Sequence, residues 1–306
     1  MKIAYFGLPL GALLLAQDGH QLSLVALSPV EAPGRRRLSR RLAAARLVDA
    51  LGAPARFEQQ VSQALAEAAP DLLVSWFWTR KLPARWLGAA RLGAIGVHPS
   101  LLPRHRGPNP YFWTIDAGDE LAGVTVHRLN EDYDTGKMLG SRSLAVAGRD
   151  AWQLARALDR PSLAALRETV QSFARGAPPD ELEQLAELAT WAPEPTGEAL
   201  RVDFGWTTER VLRRIRALSP TPGVALEVLG IPLFVTRAEP AETFVQALLP
   251  GEAQVSDALL LRTGDGAVRV TGALFPDVTS DADGDDSEAL TSAAEVAARL
   301  LRASPP

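Results

Sequence analysis

The chain has 306 residues, enough for two domains or one large one, and 47% of them are hydrophobic, so it can bury a sizeable core. The absence of cysteine excludes disulfides, thiolate metal sites and a catalytic thiol. The net charge of −4 is uneven, with 22 Lys and Arg against 21 Asp and Glu in residues 1–200 and 10 against 15 in residues 201–306, which argues against a broad phosphate-binding surface in the second part. The opening "MKIAYFGLP" has no signal-peptide core or cleavage site, and no run of about 18 apolar residues is free of charge. The expectation is a cytoplasmic protein without a membrane span.

"KIAYFG" (Lys2–Gly7) reads as a buried first strand ending in a glycine turn, and "QLSLVALS" (Gln21–Ser28) as a second strand. "RLSRRLAAARLVDALG" (Arg37–Gly52) has helical periodicity with Gly52 as its stop. "DLLVSWFW" (Asp71–Trp78), "LGAIGVH" (Leu92–His98) and the alternating "GVTVHRL" (Gly123–Leu129) read as further strands. Strands separated by helical stretches predict an open α/β sheet. After Asp150 the pattern predicts two helices broken near Pro161, with Asp159 capping the second. A Pro- and Glu-rich connector follows, then one helix in "TTERVLRRIRALS". Short runs punctuated by Gly and Pro come next, with a "GDG" hairpin turn, and predict a small β-barrel or sandwich. "SDADGDDSE" reads as a solvated acidic loop, because its glycine falls too early for a calcium loop. No metal site is expected.

In an open α/β sheet, ligands gather beyond the carboxyl ends of the strands. His98 ends one predicted strand and runs at once into the turn "PSLLP", and Asp134 sits in the loop "NEDYDTGKML" after another. A carboxylate beside an imidazole orients it and raises its basicity, which suits proton transfer or stabilisation of a developing oxyanion. The same residues also fit a structural histidine and two tight turns. "GLPLG" is too short for the dinucleotide fingerprint.

"HPSLLPRHRGPNP" followed by "AGVTVHRLNEDYDTGKML" resembles the signature of the folate-dependent formyltransferases. That group includes methionyl-tRNA formyltransferase, the sugar-nucleotide formyltransferases and glycinamide ribonucleotide formyltransferase. The opening strand and "RVDFGWTTERVLRRIRALSPTPGVALEV" extend the likeness over most of the chain. The resemblance implies a Rossmann-like catalytic domain over residues 1–175, a linker over 176–203 and a smaller C-terminal β-barrel domain over 204–306. It also implies transfer of a formyl group from 10-formyltetrahydrofolate to an amine through a tetrahedral intermediate.

The family uses an Asn, a His and an Asp. The His matches His98 and the Asp matches Asp134, but the Asn position holds Gly96. An oxyanion donor is thus missing, unless Ser100, His105, Asn109 or a water replaces it. Without a side chain at Gly96, the space beside His98 is expected to be open. The folate head group is implied to lie near "DLLVSWFWTRKLP" and the Asp134 loop. Candidate contacts are Trp78, Thr79, Leu82, Tyr133, Thr135 and Gly136.

For the acceptor, the five arginines between Arg35 and Arg41 suit tRNA, whereas the acidic C-terminal part and "RGPNPYFW" suit a small amine such as an amino sugar or amino acid. The small amine is favoured over methionyl-tRNA. A non-catalytic folate-binding protein and a hydrolase releasing formate remain alternatives.

Overall fold

The computed structural model describes residues 1–30, 32–42, 44–276 and 288–303. It comprises two compact units, one built from residues 1–110, 122–144 and 157–192, the other from 111–121, 145–156 and 193–306. In chain order the elements run β1 (Lys2–Gly7), α1 (Pro9–Gln17), β2 (Gln21–Leu27), α2 (Arg35–Arg41), β3 (Arg46–Asp49), α3 (Pro54–Ala68), β4 (Leu72–Trp76), α4 (Ala84–Leu87) and β5 (Ala94–His98). They continue with α5 (Pro110–Ala117), β6 (Leu121–Arg128), β7 (Met138–Ala145), α6 (Ala151–Ala174) and α7 (Thr208–Ala217). The rest are β8 (Val224–Val228), β9 (Ile231–Pro240), β10 (Ala253–Val255), β11 (Leu259–Arg262), β12 (Ala267–Phe275), β13 (Glu288–Leu290) and α8 (Ala293–Ala303).

Seven strands form one sheet in the order β3-β2-β1-β4-β5-β6-β7. β3, β2, β1, β4 and β5 run parallel, and β6 returns antiparallel to β5. The central strands are buried on both faces, which is why β1 and β4 read as unbroken apolar runs rather than alternating ones. The chain leaves β3 at one edge and re-enters as β4 on the far side of β1. That reversal puts the topological switch point between β1 and β4, with β5 next to it.

Two expectations are corrected. The stretch Arg37–Gly52 is not one helix, since α2 stops at Arg41 and residues Arg46–Asp49 pair in parallel with Leu24–Leu27. The open edge of β2 outweighs the local helical preference of "RLAAARLVDAL". Likewise, α6 runs unbroken through Pro161, and Asp159 lies inside it rather than capping a second helix. A proline inside a helix costs about 3 kcal/mol, and here the buried face of Leu154, Leu158, Leu166, Val170 and Phe173 offsets it. Among the described residues, no helix is long and apolar enough to cross a membrane.

In the second unit β10-β11-β12-β9-β8, with β13 on β12, form one curled antiparallel sheet, a half-barrel. The "GDG" hairpin joins β11 to β12 as expected. The acidic stretch "SDADGDDSE" lies outside the described residues, except for the backbone of its last residue.

α7 presents Arg210 and Arg214 to Asp116 of α5. Arg214 Nε and Nη2 reach the carboxylate at 2.6 and 3.1 Å, Arg210 Nη1 and Nη2 at 2.5 and 2.9 Å, and Arg214 Nη1 donates to three carbonyls, those of Glu198, Ala199 and Arg201. Burial alone would raise the Asp116 carboxyl, but hydrogen bonds from Arg214 and Arg210 hold it below the ordinary carboxylate range. Its contribution to stability is present above that range and is lost as pH falls through the native value. Asp116→Ala leaves Arg214 buried without its counter-charge and is expected to cost about 3–5 kcal/mol in equilibrium denaturation. A loss under about 1 kcal/mol would mean that the carbonyls alone satisfy Arg214.

Candidate active site

His98 is the last residue of β5, opposite Thr125 of β6, and Gly96 lies opposite His127. Strand periodicity therefore places Gly96, His98, Thr125, His127 and Leu129 on one face of the sheet. Asp134, from the loop after β6, reaches back over that face. Its Oδ2 lies 3.4 Å from His98 Nδ1 and its Oδ1 lies 3.6 Å from His127 Nε2. The structure thus brings together the two residues that the sequence singled out. His127 was missed as a partner. The alternation of its strand was plain, but its place opposite Gly96 is set by register between β5 and β6.

The hydrogen bonds fix how the rings are used. His98 Nε2 donates to the His105 carbonyl at 2.8 Å, and a carbonyl only accepts. Nε2 therefore carries a hydrogen, and Nδ1 is the nitrogen that faces Asp134. His127 Nδ1 likewise donates to the Arg128 carbonyl at 2.9 Å. Burial pushes the His127 ring down to about 4 despite the opposing pull of Asp134, so it is neutral near pH 7 with its Nε2 lone pair toward the carboxylate. Asp134 Oδ2 also accepts the Gly107 N–H at 2.9 Å. His98 is only 6% exposed and the Asp134 side chain 17% exposed, so Asp134 is the more open member of the pair.

Asp134 holds a left-handed backbone, φ 56°, which a non-glycine residue keeps only when its surroundings enforce it. Two residues further on, Gly136 is buried so closely that a Cβ would run into the Arg128 carbonyl. Only glycine closes this loop.

The open space expected beside His98 is not there. Gly96 has no left-handed φ, and a Cβ on it would lie 2.7 Å from Leu129 Cδ2 and 3.4 Å from Leu129 Cγ. An apolar side chain occupies the place of the family's amide. Ser100 does not replace that amide, because its Oγ donates to the Arg104 carbonyl at 2.6 Å. The Asn109 N–H is directed to the Ala192 carbonyl at 3.0 Å.

The proposed folate contacts divide into two groups. Trp78 stacks on Phe57 at 5.7 Å and meets Phe6 edge-on at 5.4 Å, while Leu82 is buried in the same cluster. The buried Trp78 Nε1–H has no hydrogen-bond partner. Thr79 and Tyr133 are exposed, and Lys81 Nζ sits 5.7 Å from the Tyr133 ring, so the tips of the two loops adjoin. Thr135 Oγ1 exchanges hydrogen bonds with the Asn130 side chain at 2.8 and 3.0 Å. Among the described residues, no cluster of three or more potential metal ligands occurs.

Residues 4–168 match the family described as Formyl transferase, and residues 196–277 match its C-terminal domain. A methionyl-tRNA formyltransferase from Rhizorhabdus wittichii is 32% identical over 282 residues, covering 89% of each chain. One from Anaeromyxobacter dehalogenans is 34% identical, covering 83% of this chain and 85% of its own. Among solved structures, an N-formyltransferase from Helicobacter canadensis, in complex with folinic acid and dTDP-3-aminofucose, superposes with a TM-score of 0.68 at 12% identity, covering 88% of this chain and 98% of that one. HypX from Aquifex aeolicus, in complex with tetrahydrofolic acid, gives 0.65 at 24% identity over 93% of this chain and 48% of its own, so this chain spans about half the length of HypX. With one family match reaching across more than half of the sequence and relatives aligned over most of their length, the chain belongs to the formyl transferase family and is a formyltransferase.

Proposed function

We propose that the protein moves the formyl group of 10-formyltetrahydrofolate to a primary amine of a small molecule, such as an amino sugar or amino acid. The observation that carries this reading is the His98–Asp134 pair at the carboxyl end of β5. The amine nitrogen attacks the formyl carbon, and the carbonyl electron pair moves onto oxygen. The Asp134–His98 pair takes the proton that the amine sheds. When the intermediate collapses, the bond from carbon to N10 breaks and the pair returns the proton to N10, leaving the N-formylated amine and tetrahydrofolate. Asp134, as the more open member, meets the proton first, and His98 Nδ1 stores it behind the carboxylate. Trp78, with its unpartnered Nε1–H, fits a heterocycle carrying a hydrogen-bond acceptor. The tetrahydrofolate and folinic acid bound to the structural neighbours support the donor.

A second acceptor reading, methionyl-tRNA, is favoured by the names of the relatives and by α2, where Arg36, Arg37, Arg40 and Arg41 are all exposed. The acidic residues 201–306, which carry ten arginines, no lysine and fifteen carboxylates, weigh against it. Few phosphates would be neutralised, so initiator tRNA should bind no tighter than about 1 µM at physiological salt. The deciding experiment measures tetrahydrofolate release across amino sugars, amino acids and charged initiator tRNA, with tRNA affinity followed against salt. Submicromolar, steeply salt-dependent tRNA binding would replace the small amine by methionyl-tRNA.

A further inference from the structure

The stretch 181–188 is Glu- and Leu-rich and exposed, except for the half-buried Gln184. Its backbone pairs with Met138, whose N–H donates to the Leu182 carbonyl at 2.8 Å and whose carbonyl accepts the Leu182 N–H at 2.9 Å. Further on, Thr190 Oγ1 accepts the His105 N–H at 2.8 Å, and Arg106 N–H donates to the Thr190 carbonyl at 2.9 Å. The segment therefore binds both the loop after His98 and the loop that carries Asp134.

Gln184 lies where these two loops meet. Its Oε1 accepts Arg106 Nε and Nη2 at 3.0 and 2.7 Å, and its Nε2 donates to the carbonyls of Asp134 and Gly136 at 2.8 and 2.7 Å. Arginine only donates and carbonyls only accept, so the orientation of the amide is fixed and its hydrogen-bonding capacity is filled. The first of these carbonyls belongs to Asp134, the residue held at left-handed φ, and the second lies two residues on; Arg106 precedes Gly107, whose N–H binds the Asp134 carboxylate.

We propose that Gln184 is a positioning residue for formyl transfer, holding Asp134 in its strained backbone so that the carboxylate faces His98. The inference rests on the catalytic reading of that pair. No substrate contact is needed of Gln184, since its partners are Arg106 and main-chain oxygens. Glutamate separates the two halves of its work, because a carboxylate keeps the Arg106 bonds but cannot donate to the carbonyls at 134 and 136.

The test compares Q184E and Q184A with Asp134→Asn. Only four histidines need assignment in imidazole nitrogen NMR. In Q184E the His98 ring resonances should move toward those of Asp134→Asn while the melting temperature stays near that of the parent. With 10-formyltetrahydrofolate and hydroxylamine as the amine, kcat for tetrahydrofolate release should fall by about 100-fold, as a misplacement of about 1 Å can cause. KM for folate should stay within about 2-fold, the mark of an interaction used only in the transition state. His98 resonances at their parent positions in Q184E, or losses confined to KM, overturn the proposal. Should Q184A not fold, Q184E alone carries the test. If the parent protein releases no tetrahydrofolate, the formyl-transfer reading fails by itself and the NMR comparison still decides the role of Gln184.

Discussion

Replacing His98 by alanine is expected to lower tetrahydrofolate release by about 100- to 10,000-fold, the range supplied by a positioned acid–base group. The ring has a single anchored orientation, with Nε2 spent on the His105 carbonyl and Nδ1 3.4 Å from Asp134. Removing it strands a proton on a carboxylate that has lost its partner. It also removes a buried hydrogen bond, a net cost of about 0.5–1.5 kcal/mol that thermal unfolding would register while the protein stays folded. Because the two residues act as a unit, Asp134→Asn added to His98→Ala should lower the rate little further, far short of the product of the single effects. Near-parental turnover in the folded His98→Ala protein would remove the histidine from the mechanism. Full multiplicative losses in the double variant would show the two residues working on separate steps.

How far this site was legible differs from residue to residue, and the differences have physical causes. His98 and Asp134 were legible because each follows a strand with a clear pattern, and strand ends are where an open α/β sheet gathers its ligands. His127 carries the same alternation, yet its role depends on register with a neighbouring strand, which no local pattern reports. Gln184 was invisible, since its segment has neither strand nor helix periodicity and its partners lie about fifty and eighty residues away. The strand Arg46–Asp49 was read as helix because its residues prefer helix locally, and only the open edge of β2 makes it a strand. Pro161 misled in the opposite direction. A breaker signal is a local cost of about 3 kcal/mol, and a long apolar face can exceed it.

Gly96→Asn is the change that tests what the departure from the family pattern means, and Leu129 decides how it must be made. Position 96 has an ordinary strand backbone, so asparagine meets no strain in φ. The obstacle is Leu129 Cδ2, 2.7 Å from the new Cβ. That methyl is the free end of a flexible side chain and can rotate away, but overpacking of this kind typically costs about 1–3 kcal/mol. The single variant should therefore fold with reduced stability and gain little rate, because the amide competes with Leu129 for one space. Gly96→Asn combined with Leu129→Ala frees the space, places a donor beside His98 and should raise tetrahydrofolate release by about 100- to 1,000-fold, equivalent to roughly 2.7–4 kcal/mol of oxyanion stabilisation. Leu129→Ala alone serves as the control and should not accelerate turnover. A double variant that folds and keeps the parental rate would show that the missing amide is not what limits this protein. The Gly96–Leu129 pair would then be an apolar wall fitted to a different acceptor, or the mark of a chain that holds folate without transferring its formyl group. Formate release measured without any amine separates these from a hydrolase, in which water takes the place of the acceptor.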